Sequence, residues 1–173
     1  MFNKIIVPLD GSELAATVVP HAACMALMMK AEIVLVRVGD LPRGHSAAKF
    51  RTIHADLRIS VPNSERDIVK SQHPIYRDQE IANAETDLLD SLGAAETYCR
   101  RAGVPVRSRV VFGRPTEKIL QIVEEEEAGA IMLSTHGDRG IGIAERIIRL
   151  ARVPVITIHP HAPKRPEIDM LIG

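Results

Sequence analysis

Ala130-Ile131-Met132-Leu133-Ser134-Thr135-His136-Gly137-Asp138-Arg139-Gly140 is the stretch on which the reading of this chain turns. Its first four residues are apolar and uncharged, with Gly129 before them and polar residues after. A run of this kind lacks the alternation of a half-exposed strand and reads as a strand buried on both faces of a parallel sheet. The chain then turns through Ser134 to Gly140 and resumes a helical pattern at Ile143. Strand, glycine-bearing loop and helix start together aim backbone N–H groups at one point, a geometry that holds an anion. Many such loops bind nothing, so the assignment depends on the rest of the chain.

Outward from this point the same alternation repeats. Lys4 to Leu9 is a β-branched strand ending at Asp10-Gly11-Ser12, with Pro8 at its exit, because a proline inside a central strand forfeits a ladder hydrogen bond. Ser12 is predicted to cap a helix running to about Lys30 and bent at Pro20. Ala31 to Val38 is a second strand, Val104 to Phe112 a third with one partly exposed face, and Val153 to Ile158 a fifth. Pro154 places that last strand at an edge or makes itself the strand's start. Further helices are predicted from Asp78 to about Tyr98, stopped by Gly103; from Pro115 through Ile119, Leu120, Ile122 and Val123; and from Ile143 to Arg152. Five strands separated by helices predict an open, doubly wound parallel α/β sheet. Residues 39–77 break the rhythm with Pro42, Gly44, Pro62, Pro74 and many charges, and read as an insertion or lid, partly helical over Ser64 to Lys70. The domain is thus expected over residues 1–160, with a tail at 161–173.

Composition narrows the function classes. At 173 residues the chain is one domain, long enough for a proper core. Lys+Arg and Asp+Glu balance at 22 each, and aromatics are 3% with no Trp, which argues against a nucleic-acid surface and against base-stacking platforms. No apolar run has the length of a membrane span and the N-terminus shows no signal-peptide pattern, so a cytoplasmic protein is expected. Cys24 and Cys99 lie in helical patterns and are expected to be buried free thiols. The run Glu124 to Glu127 points around a helix and reads as a solvated helix end, and Arg107 and Arg109 read as a solvated strand face. His159 and His161 lack the further ligands of a metal site.

In such a sheet, ligands bind outside the carboxyl ends of the strands, where the strand order reverses. The groups expected there are Asp10, Val38, Gly113-Arg114 and the Ser134 to Gly140 loop. Asp10 has two readings: an acceptor for an adenine amino group or a ribose hydroxyl, or a turn former bonded to nearby amides. Val38 is either an apolar ligand contact or packing. Nothing resembles a Gly-x-Ser-x-Gly elbow, and no residue stands out as a general base.

Taken together, Val7-Pro8-Leu9-Asp10-Gly11-Ser12-Glu13, Gly113-Arg114-Pro115, Ser134 to Gly140, and Ala144 to Arg149 leading into Val153-Pro154-Val155 resemble the universal stress protein family. The likeness covers the chain apart from the insertion and the tail. It implies a Rossmann-like domain of the adenine nucleotide alpha-hydrolase type, a regulatory role in stress response, and ATP as ligand, with Mg as its companion. It also implies a homodimer through strand 153–158, an unknown client protein, no nucleic acid or membrane partner, and at most slow ATP hydrolysis or autophosphorylation. By the same resemblance, Pro8, Leu9, Asp10 and Val38 hold the adenosine. Leu133, Ser134, His136, Gly137, Gly140, Gly142 and Ile143 line the phosphate loop.

The loop departs from the family pattern of Gly-x-x-Gly, nine residues, then Gly-Ser/Thr. Ser134 stands at the first glycine, and only Asp138, Arg139 and Gly140 separate Gly137 from Ile141-Gly142, about six residues fewer than that spacing. Either the loop is short in this protein, or six residues are missing from the sequence as written, in which case the chain should break near Gly142–Ile143. A short loop suits the alternative of a non-nucleotide interaction module acting through its dimer surface and the 39–77 insertion. An adenylyl-transferring relative ranks last, because Asp10-Gly11-Ser12-Glu13 stands where its phosphate loop is expected.

Overall fold

The apolar runs form five parallel strands: β1 (Lys4–Pro8), β2 (Glu32–Gly39), β3 (Val106–Phe112), β4 (Ala130–Ser134) and β5 (Val155–Ile158). Their spatial order is β3-β2-β1-β4-β5. The computed structural model describes residues 3–40, 74–135 and 142–159. The helices are α1 (Glu13–Ala16), α2 (Val18–Met29), α3 (Pro74–Asp90), α4 (Gly93–Arg101), α5 (Pro115–Glu125) and α6 (Ile143–Leu150). The partial helix expected at Ser64 to Lys70 lies outside the described residues.

Both faces of the sheet are covered, which is why β1, β2 and β4 read as continuous apolar runs. Ile5, Val7, Ile33, Leu35 and Met132 pack against α2 and Leu92 on one face, while Ile6, Val34, Val36, Ile131 and Leu133 pack against α5 and Ile147 of α6 on the other. Each such side chain contributes about 1.5–3 kcal/mol by leaving water. β3 and β5 are the sheet edges and are only partly covered. The expected partial exposure of the third strand and the edge position of the fifth both follow from this order, and Pro154 sits just before β5.

Several expected boundaries move. The first helix is two helices, and the break falls at Thr17 rather than at Pro20. A proline lacks the N–H for an i→i−4 bond and clashes with that carbonyl, so the helix restarts at Val18 and Pro20 occupies a first turn, where no such bond is required. Thr17 assists by turning its hydroxyl onto the Leu14 carbonyl, 2.6 Å away. The helix expected from Asp78 to Tyr98 is likewise split around Ser91–Leu92, where the Ser91 hydroxyl donates to the Leu88 carbonyl and Leu92 is sunk in the core. Its predicted stop holds: Gly103 has φ +74°, its N–H reaches the Arg100 carbonyl, and the Val104 N–H reaches Cys99. Cys24 and Cys99 are free and buried, and burial pushes the Cys99 thiol up to about 11.

One further expectation is corrected, and the chain is continuous at the start of α6. No break occurs at Gly142–Ile143: Gly142 caps α6, and its carbonyl accepts from the Arg146 N–H at 3.2 Å across that peptide. Nor is Glu124 to Glu127 uniformly solvated. Glu126 turns under the sheet with its side chain 9% exposed and is held by Lys4 Nζ (3.0 Å), by Arg109 Nη1 (2.8 Å) and by Arg107. Arg107 also bonds Glu32, and Arg109 also bonds Glu125, so the supposed solvated arginines brace α5 against β1, β2 and β3. The Arg107 hydrogen bond, together with those from Lys4 and Arg109, holds the Glu126 carboxyl at about 2 against the opposition of burial.

Candidate functional site

The strand order reverses between β1 and β4, which leave the sheet side by side at its carboxyl edge, with β2 on the other flank of β1. Ile6 lies opposite Val34 of β2 and Ile131 of β4. Three residues further on, the same registers bring Leu9, Arg37 and Ser134 level with one another. Strand alternation puts these three on the α1/α2 face, and puts Val38 and Leu133 on the α5/α6 face.

The exit of β1 is a tight turn. The Asp10 carboxylate accepts from the Ser12 N–H at 2.8 Å, Gly11 adopts φ +81°, and the Ser12 hydroxyl accepts from the Ala15 N–H at 3.0 Å to cap α1. The turn-forming reading of Asp10 is thus realised. The carboxylate lies at the exposed surface. Pro8 and Val38 are half-buried beside it, with Val38 packed on the α5/α6 core. The Leu9 and Leu133 side chains are committed to the core, which leaves only their backbone to a ligand.

Ser134 is 8% exposed, and among the described residues its buried hydroxyl has no hydrogen-bond partner. Its φ is not positive, so the backbone does not require a glycine there. Gly142 and Ile143 open α6, Gly142 exposed and Ile143 48% exposed. Glu145 in that first turn weakens the pull of the helix end on an anion, although Arg149 partly neutralises it at 2.6 Å. His136, Gly137 and Gly140 lie outside the described residues. The Gly113-Arg114 turn follows the β3 edge strand, two strands from the reversal, and Arg114 pairs with Glu117 at 3.1 Å.

Sequence reading passed over Arg37. It is half-buried, Nη1 donates to the Leu9 carbonyl at 3.3 Å, and the guanidinium lies so close to Gly11 that a Cβ there would stand 3.1 Å from Nη2. The available signal was a lone cation inside Ile33-Val34-Leu35-Val36-Arg37-Val38. A separate groove of about 550 Å³ lies between α5 and α6, lined by Leu120, Val123, Leu150 and Val153 with Glu124, Glu127 and Arg152, and is not part of this edge. Among the described residues no group of three His, Cys, Asp or Glu comes together to hold a metal, and no helix is long and apolar enough to cross a membrane.

A sequence model of the Universal stress protein family matches residues 1–159. Universal stress protein MJ0577 of Methanocaldococcus jannaschii is 24% identical over 166 residues, spanning 91% of this chain and 95% of its own length. Universal stress protein YxiE of Bacillus subtilis is 22% identical over 164 residues, 91% of this chain and 99% of its own. Among solved structures, that of MJ0577 superposes with a TM-score of 0.64 at 19% identity, covering 96% and 99% of the two chains. A universal stress protein in complex with cAMP gives 0.60 at 16% identity over 92% and 98%. One from Archaeoglobus fulgidus in complex with dAMP gives 0.56 at 16% identity over 91% and 97%. These structures share the five-stranded α/β fold.

Proposed function

The chain belongs to the universal stress protein family, and from that premise we propose that it is a regulatory protein whose ligand is an adenine nucleotide, bound at the carboxyl edge where β1 and β4 part. The observation that carries this reading is the Asp10 turn at the reversal of strand order, which presents an exposed carboxylate between half-buried Pro8 and Val38. Asp10 is the acceptor for the adenine or ribose, Pro8 and Val38 supply apolar contact, and the backbone after Leu133 faces the anionic end. Structures of relatives hold cAMP and dAMP, which supports a nucleotide with a short phosphate.

The fit to ATP with Mg is poorer. The loop between Gly137 and Gly142 is short in the chain itself, and Glu145 stands in the first turn of α6. The residues present suit an adenine nucleoside carrying a compact anion better than a wrapped triphosphate. The role is sensing, with hydrolysis or autophosphorylation slow at most. The cytoplasm is the proposed location. Among the described residues the outer edge of β5 has no partner strand, and pairing with its twin is the proposed dimer contact.

A second reading has a specific observation behind it, the same short loop: a ligand-free interaction module working through the β5 edge and the 39–77 insertion. Calorimetric titration with adenosine, AMP and ATP separates the two. Micromolar binding (about −8 kcal/mol) that is weakened in Asp10→Ala supports the nucleotide reading. Heats indistinguishable from dilution for all three compounds refute it in favour of the module.

A further inference from the structure

The groove between α5 and α6 opens at the amino edge of the sheet, the end away from the β1 turn, since its lining residues lie just before β4 and β5. Its floor is apolar, with Val123 of α5 facing Leu150 and Val153 across about 550 Å³. Leu150 is 61% exposed there, a large apolar side chain that nothing among the described residues covers. The lip is acidic. Glu124 and Glu127 stand at the C-terminal end of α5, where helix carbonyls already concentrate negative charge and no basic residue occupies the last turn. Arg152 reaches Glu124 only at 3.9 Å, and Glu127 forms no ion pair with a described residue. Glu127 also holds φ +50°, left-handed backbone that a glycine or asparagine adopts at lower cost. A carboxylate kept on the lip despite that strain points to a cationic group that meets it.

We propose that the groove is the docking site of the chain's own C-terminal segment, residues 164–172, which lies outside the described residues. That segment reads Lys164-Arg165-Pro166-Glu167-Ile168-Asp169-Met170-Leu171-Ile172. Its two cations complement Glu124 and Glu127, its carboxylates complement Arg152, and its apolar residues suit the floor. The reach also agrees. From Val153 at the groove to His159 at the carboxyl edge the chain covers about 20 Å, at the rise of a strand. The run 160–166 contains Pro160, Pro163 and Pro166, and a proline-rich spacer of that length covers about 22 Å. Returning on the α5/α6 side of the sheet, it delivers Lys164 and Arg165 to the acidic lip and the apolar residues to the floor beyond.

The test uses the full chain carrying Gly173→Cys with a nitroxide on that thiol, which reacts selectively because Cys24 and Cys99 are buried. The methyl resonances of Val123, Leu150 and Val153 are expected to lose intensity relative to the sample with the nitroxide reduced. Glu127→Lys, at an exposed position, should restore that intensity, and so should Lys164→Glu with Arg165→Glu. Combining Glu127→Lys with Lys164→Glu should bring part of the loss back. Should Glu127→Lys fail to fold by circular dichroism, the pair of substitutions in the segment decides alone. Groove methyls that keep their intensity, or a loss indifferent to the charge reversals, overturn the proposal. So does a loss seen in a mixture where one copy carries the nitroxide and another the labelled methyls, since the groove then takes the segment of a second copy.

Discussion

Replacing Glu126 by glutamine should destabilise the protein strongly, and in a pH-dependent way that identifies the cause. Its carboxylate is reached by Lys4, Arg107 and Arg109 from β1 and β3, and it sits on the residue that ends α5. The Arg107 hydrogen bond, with those from Lys4 and Arg109 behind it, lowers its pKa from 4.5 to about 2. At about 1.4 kcal/mol per unit, that difference corresponds to about 3 kcal/mol of folding stability. Because the folded-state value is depressed, the contribution is complete above the unfolded value of 4.5 and is lost as pH falls through about 2. Urea melts of wild type and Glu126→Gln should therefore differ by about 3 kcal/mol at pH 7 and converge toward zero as pH approaches 2. Glu125→Gln is the control, since its exposed pair with Arg109 is worth at most a few tenths of a kcal/mol. A difference for Glu126→Gln below about 1 kcal/mol at pH 7, or one that does not shrink with acid, would refute the electrostatic account.

Other outcomes follow from single contacts. Ser134→Ala removes a buried hydroxyl that has no partner among the described residues, so it should leave stability unchanged or raise it by up to about 1 kcal/mol, read from the thermal midpoint. A loss there instead would reveal an unseen partner for that oxygen. Gly103→Ala, at φ +74°, should cost about 1–2 kcal/mol in denaturant melts by forcing a side chain into left-handed backbone at the end of α4. Gly39→Ala places a Cβ 2.5 Å from Leu88 Cδ1 and should cost about 1–3 kcal/mol by displacing α3 from β2. Asp10→Asn keeps an acceptor for the Ser12 N–H and should preserve the fold while weakening adenosine in calorimetry. Unchanged affinity in that variant would move the nucleoside away from Asp10.

What was readable from the chain alone and what was not divide along the range of the interactions. Apolar runs such as Ile5–Val7 and Ile131–Leu133, the capping hydroxyl of Ser12 and the stopping glycine at 103 act within a few residues, and they are enough to predict five strands in α/β alternation. The helix breaks at Thr17 and Ser91 were harder, because they depend on how a proline ring and a core leucine compete with continued helix. Asp10 and Val38 were legible as candidates because strand ends are local features.

Arg37 and Glu126 were not, and for one physical reason. Arg37 faces the Asp10 turn only because β2 lies directly beside β1, and Glu126 meets Lys4 across 122 residues and Arg107 across 19. Charge patterning in the sequence cannot say which strands become neighbours, so a buried ionic clamp and a half-buried guanidinium set against a turn both read as ordinary surface charge. The sequence by itself determined which segments are strand and helix and which of them are buried. The tertiary structure alone decided where the strand order reverses, which charges are paired beneath the sheet, and which one lies against the turn that ends β1.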